Sequence, residues 1–166
     1  MIQAKVCMLG GFGVGKTSLV SRYVHSLFSD KYLTTVGVKI EKKTVAVTSG
    51  HVDLIIWDIY GEDDFQKVRT SYLRGSSGYL LVADGTRRAT LATARALHDL
   101  AHSIIGPVPF VLVLNKADLV HQWEMPESDL VDLAAVGWHI VRTSAKTGTN
   151  VEVAFDALVT NMALAR

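Results

Sequence analysis

Gly10-Gly11-Phe12-Gly13-Val14-Gly15-Lys16-Thr17 satisfies the spacing G-x-x-x-x-G-K-[ST]. Glycines in that pattern let the backbone wrap so that successive N–H groups converge on phosphate oxygens, and a following helix adds its positive end. Lys16 supplies a point charge to β/γ-phosphates, and the Thr17 hydroxyl can ligate Mg²⁺. Average residue usage puts a chance match in a chain of this length on the order of one in a few hundred. The pattern points to a nucleoside triphosphate held by Gly13, Val14, Gly15, Lys16, Thr17 and the adjoining Ser18.

A phosphate loop does not choose the base; two later segments do. Asn115-Lys116-Ala117-Asp118 follows the apolar run 110–114, placing an N-K-x-D at the end of an expected strand, where ligands of open α/β sheets bind. The Asp118 carboxylate can accept two hydrogen bonds from the N1–H and exocyclic amine of guanine. Adenine offers no such donor pair and leaves the carboxylate unpaired. Thr143-Ser144-Ala145-Lys146 closes a later strand, where a backbone N–H can meet guanine O6. Together the two segments favour guanine, against the rival of an ATP-using kinase or ATPase.

Alternating elements must position these groups. Residues 2–9, 79–83, 110–114 and 138–141 are short apolar runs that predict strands, and 36–48 with 52–57 predict two more. Ser49-Gly50-His51 between the last two predicts a hairpin turn, hence one antiparallel edge. Residues 17–27, 90–105 and 151–164 predict helices. Leu19, Val20, Tyr23, Val24 and Leu27 share a face of the first, and Val151, Phe155, Leu158 and Val159 a face of the last. Strands alternating with helices predict an α/β domain with a mainly parallel sheet covered on both faces.

The bulk properties fit one globular domain over residues 1–166, with 49% hydrophobic and 20% charged residues. Lys+Arg at 17 against Asp+Glu at 16 leaves no basic excess for binding nucleic acid through charge. The single cysteine, Cys7, excludes an internal disulfide and suits a reducing cytoplasm. His98 and His102 stand four apart on an expected helix but lack a third ligand, and read as a solvated face. Arg87-Arg88 reads as a helix-start surface, and Trp123 and Trp138 as packing residues.

With these motifs in place, the sequence resembles the Ras superfamily of small GTPases over essentially its full length. The resemblance rests on the phosphate loop, on Asp58-Ile59-Tyr60-Gly61 as D-x-x-G, on Asn115 to Asp118, and on Ser144-Ala145-Lys146. Among branches the chain looks most like Rab. Thr35-Val36-Gly37-Val38 resembles T-I-G-V, Tyr72-Leu73-Arg74-Gly75 resembles Y-Y-R-G, and Asp53 to Asp58 has the apolar-then-Trp-Asp form of Rab's third strand.

The resemblance implies a three-layer α/β P-loop NTPase fold, the Ras-like G domain. Its six-stranded, mostly parallel sheet would have order 2-3-1-4-5-6 with strand 2 antiparallel. It implies a GTP/GDP switch with slow Mg²⁺-dependent hydrolysis, in which Lys16, Thr35, Gly61 and Glu62 serve the reaction. Phe28 would pack against guanine, Lys116 and Lys146 would flank it, and Asn115 would tie the base loop to the phosphate loop. Thr17, Thr35 and, through water, Asp58 would hold Mg²⁺, while the Gly61 N–H senses the γ-phosphate. The stretches around Thr35 and from Gly61 to Lys67 would be the two switches. Ile40, Trp57 and Tyr72 between them would meet effectors, or pack blandly against neighbouring elements. Effector, exchange-factor and activating proteins would be the partners.

The chain departs from the family at three places. Glu62 replaces the usual Gln that orients the attacking water. A carboxylate can accept the water's proton, and it also brings negative charge toward a triphosphate. Phe12 stands where relatives carry a small residue, and Ile59-Tyr60 replaces a small pair inside D-x-x-G. A non-enzymatic GTP-bound scaffold, with hydrolysis made negligible by Phe12 and Glu62, is therefore the alternative. No cysteine near Arg166 offers a prenylation site, so the expectation is a cytoplasmic protein placed at membranes by partners or by a tail beyond this sequence.

Overall fold

We obtained the structure as a computed structural model, which describes residues 2–29, 37–61 and 68–164. Its sheet has the order β2-β3-β1-β4-β5-β6, formed by β1 (Ile2–Gly10), β2 (Val38–Val47), β3 (Gly50–Ile59), β4 (Gly78–Asp84), β5 (Phe110–Asn115) and β6 (Ile140–Arg142). Every pairing is parallel except that of the edge strand β2 with β3. Helices α1 (Lys16–His25), α2 (Ala89–Ile105), α3 (Glu127–Ala135) and α4 (Val151–Leu164) cover it. The expected strand order and the antiparallel edge are both found.

The central strands read as continuous apolar runs because both of their faces are covered. Along β1, Ala4, Val6 and Met8 join one cluster with Leu19, Val20 and Tyr23 of α1 and Phe155 and Leu158 of α4. Cys7 and Leu9 turn the other way, to Leu91, Ala94 and Leu97 of α2 and Leu130 and Leu133 of α3. This two-residue alternation divides one apolar strand between two cores. Tyr23 and Phe155 stack at 3.8 Å and lock α1 to α4.

Four local expectations need correction. α1 stops at His25 because Ser26 takes a left-handed conformation (φ 57°) and returns its N–H to the Arg22 carbonyl. Leu27 is therefore 62% exposed rather than on the buried face. The hairpin turn falls on Thr48-Ser49, since Gly50 already pairs with Val47. The helix α3 was not anticipated. His98 does not lie on a solvated face: its ring packs 4.3 Å from Phe110 and 4.8 Å from Trp138. The Tyr79 hydroxyl hydrogen-bonds its Nδ1 at 2.7 Å, and burial lowers its pKa against the opposing pull of Asp99.

Trp123 closes the end of β4 by lying on Gly85, where an added Cβ would stand 1.9 Å from the indole. Gly85→Ala must displace that ring, and is expected to destabilise the fold by about 1–3 kcal/mol. The check is the midpoint of denaturant unfolding, which should fall at unchanged slope. Among the described residues no helix is long and apolar enough to cross a membrane.

Candidate functional site

The parallel strands all end on one side of the sheet, at Gly10, Ile59, Asp84, Asn115 and Arg142. A cleft of about 430 Å³ opens there, lined at one end by Gly13, Gly15, Lys16, Thr17 and Ser18 and at the other by Phe28, Asn115, Lys116, Asp118, Ala145 and Lys146. Three segments separated widely in sequence thus share one surface. Phe12, Ser29, Asp58, Ile59, Gly61 and Leu119 complete the wall. Val14 and Ser144 are buried behind it. Thr35 and Glu62 lie outside the described residues.

The phosphate loop owes its shape to glycine. Gly13 and Gly15 both have positive φ, 74° and 103°. A Cβ on Gly15 would stand 2.2 Å from the Asn115 amide nitrogen, so the loop can approach β5 only without one. Lys16 is 6% exposed, and its ammonium donates to the Gly10 and Gly11 carbonyls, each at 3.1 Å. Burial lowers its pKa to about 8, against the opposing attraction of Asp58. A dianionic phosphate is the kind of group that would satisfy so confined a cation.

Asn115 ties the loops together. Its Nδ2 donates to the Val14 carbonyl at 3.0 Å, and its Oδ1 accepts from the Thr143 hydroxyl at 3.1 Å and the Ala145 N–H at 3.3 Å. The Ser144 hydroxyl donates to Asp118 Oδ1 at 2.8 Å and fixes that carboxylate. Lys116 takes a left-handed conformation (φ 69°), uncommon for a non-glycine residue, and its ammonium pairs with Asp84 at 2.9 Å.

The Thr17 hydroxyl donates to Asp58 Oδ2 at 2.6 Å. Two hard oxygen donors meeting beside a phosphate loop fit Mg²⁺. Gly61 lies against the loop, since a Cβ there would come 2.5 Å from Phe12 Cα. Ile59 is fully buried, Tyr60 packs partly buried against the same apolar cluster and donates its backbone N–H to the Gly37 carbonyl at 2.9 Å, so the core absorbs the bulky pair.

Ile40, Trp57 and Tyr72 do form one surface. Ile40 pairs with Trp57 across β2 and β3, and the Trp57 and Tyr72 rings are 6.1 Å apart. The Lys5 ammonium sits 3.6 Å over the indole. The sequence did not reveal Arg22, which holds the base loop by donating to the Ala145 carbonyl at 2.8 Å and to that of Lys146. Nor did it reveal Asp84, buried at the end of β4, or Arg87, which donates to the Phe12 carbonyl at 2.9 Å; an acid closing an apolar strand is the signal for the first.

Residues 5–164 match the Ras family. The Ras-related protein Rab11D of Lotus japonicus is 36% identical over 160 residues, which cover 95% of this chain and 73% of that protein. Human Rab-25 is 36% identical over 157 residues, covering 93% and 74%, and RABA4a of Arabidopsis thaliana is 34% identical over 160 residues, covering 95% and 71%. A glycine-built phosphate loop facing a base loop across one cleft agrees with that similarity, and the chain belongs to the Ras family as a Rab-like small GTPase.

Proposed function

We propose that residues 1–166 form a single G domain that binds GTP or GDP with Mg²⁺, hydrolyses GTP slowly, and selects effectors by nucleotide state. The observation that carries this reading is the meeting of Lys16, Asp118 and Ala145 in one cleft. Gly13, Val14, Gly15, Lys16, Thr17 and Ser18 take the phosphates. Asp118, held by Ser144, and a backbone N–H of the segment Ser144 to Lys146 read the edge of guanine, and Phe28, Lys116 and Lys146 enclose its faces. Thr17 and Asp58, joined by Thr35, are the residues to hold Mg²⁺, which when bound offsets phosphate charge. Lys16 and the loop N–H groups then meet charge developing on the transferred phosphoryl, and Gly61 and Glu62 are the residues assigned to the γ-phosphate and the attacking water.

Ile40, Trp57 and Tyr72 are the proposed effector surface, and exchange and activating proteins would act through the flanking switches. The proposed location is the cytoplasm, with membrane contact made through partners or through a tail beyond this sequence. Phe12, 48% exposed at the cleft wall, favours the second reading of a GTP-bound scaffold with negligible hydrolysis. Single-turnover GTP hydrolysis separates the two.

The site itself is tested by Lys16→Ala. Losing a buried cation that bonds phosphate is expected to weaken GDP binding by about 3 kcal/mol, roughly 150-fold. Competition against labelled GDP measures it, and wild-type affinity in the variant would remove the phosphate loop from the site.

A further inference from the structure

Asp84 ends β4 fully buried and gathers a network that the nucleotide reading does not use. Its Oδ1 accepts from the Thr86 N–H at 2.9 Å and hydroxyl at 2.6 Å. Its Oδ2 accepts from Arg87 Nε at 3.0 Å and from the Lys116 ammonium at 2.9 Å. Burial alone would raise its pKa, yet the bonds from Lys116, Thr86 and Arg87 outweigh it and hold the carboxyl below its ordinary value. One buried carboxylate therefore anchors two cations. Lys116 belongs to the base loop. Arg87 reaches the other way and donates through Nη2 to the Phe12 carbonyl at 2.9 Å. The same nitrogen lies 3.4 Å from the place of a Cβ on Gly13.

The Phe12 carbonyl and the Gly13 N–H belong to one planar peptide group. A cationic donor on that carbonyl draws density away from the nitrogen and strengthens its N–H as a donor. Gly13 and Gly15 hold the left-handed conformations from which backbone N–H groups form an anion-binding concavity. Two cations on one carboxylate leave a net positive charge behind the loop. Arginine suits the position because its planar fork serves two acceptors at once, Asp84 through Nε and Phe12 through Nη2.

We propose that Arg87 is a positioning residue of the phosphate loop, fixing and polarising the Phe12–Gly13 peptide from outside the cleft so that it grips phosphates beyond the first. The role rests on the guanine-nucleotide reading above. It concerns the phosphate end of the ligand, and it gives base and phosphate recognition a common anchor in Asp84.

The experiment measures affinities of the full chain for GMP, GDP and IDP in wild type, Arg87→Ala and Arg87→Lys, with thermal unfolding alongside. In Arg87→Ala the preference for GDP over GMP should fall about tenfold, the size expected for losing a charge-assisted bond. The preference for GDP over IDP reports recognition of the guanine amine, and should stay at its wild-type value. Arg87→Lys, which can reach only one acceptor, should recover part of the loss, and it carries the test should Arg87→Ala fail to fold. Equal weakening of GMP and GDP, or no change in either, overturns the proposal and leaves Arg87 a staple of the fold. A wild type with no preference for GDP over GMP would instead remove the phosphate-loop reading, and this inference with it.

Discussion

Asp118→Asn is expected to turn the chain from guanine toward xanthine nucleotides. In the wild type Asp118 Oδ1 accepts the Ser144 hydroxyl at 2.8 Å, and Ser144 is buried with its Oγ also accepting the Thr147 N–H at 3.1 Å. A carboxylate has about four acceptor sites, so Asp118 keeps capacity for two donors from the base. In the variant, Ser144 still calls for an acceptor, which directs the amide oxygen inward and the amide nitrogen into the cleft. That NH₂ opposes the exocyclic amine of guanine and complements the 2-carbonyl of xanthine. Sites built on paired donors and acceptors discriminate by about 10⁴ when a partner is lost or reversed. Competition between GDP and XDP in both proteins measures the change. A variant that keeps the wild-type preference for guanine would show that Asp118 does not read the base edge.

Sequence spacing disclosed the parts of the site whose chemistry is local. Lys16 and Thr17 follow their glycines directly, and Asn115 to Asp118 close an apolar strand, so a few consecutive residues carry the signal. Contacts that join distant segments left no such mark. Arg22 bonds the carbonyl of a residue 123 positions away, and Arg87 one 75 positions away; on their own elements both look like ordinary surface cations. The helix α3 escaped notice because only Leu130 and Leu133 are buried in it, while Val131 is 62% exposed and breaks the apolar period. The partial burial of His98 leaves no local mark in the sequence, because the aromatic groups around it, Tyr79, Phe110 and Trp138, come from β4, β5 and the segment before β6. The sheet order was legible through the family pattern, whereas the alternation of β1 between two cores accounts only for its being covered on both faces.

Phe12→Gly should open the site to an arginine supplied by an activating protein, which the wild type should largely refuse. Phe12 lines the cleft and is 48% exposed, so its ring stands in the mouth rather than in the core. Its backbone cannot easily retreat. Arg87 holds its carbonyl at 2.9 Å, and Gly61 packs so closely that a Cβ there would stand 2.5 Å from Phe12 Cα. An inserted guanidinium must therefore displace the phenyl ring itself. Arginine fingers accelerate hydrolysis on the order of 10³–10⁵, and this is the range that Phe12→Gly should make accessible. Glu62→Gln restores a neutral group that can orient water, and tests the second departure independently. Hydrolysis is to be measured in wild type, both single variants and the double variant, with and without an activating protein and its arginine-deleted form. Strong arginine-dependent stimulation of the wild type, unchanged by Phe12→Gly, would sink the steric argument. A fall in intrinsic rate on Glu62→Gln would show the carboxylate assisting the water, and a rise would show that its charge opposes the triphosphate. Because the steric and charge effects act on different steps, finger entry and water activation, the double variant should show their rate effects multiplying.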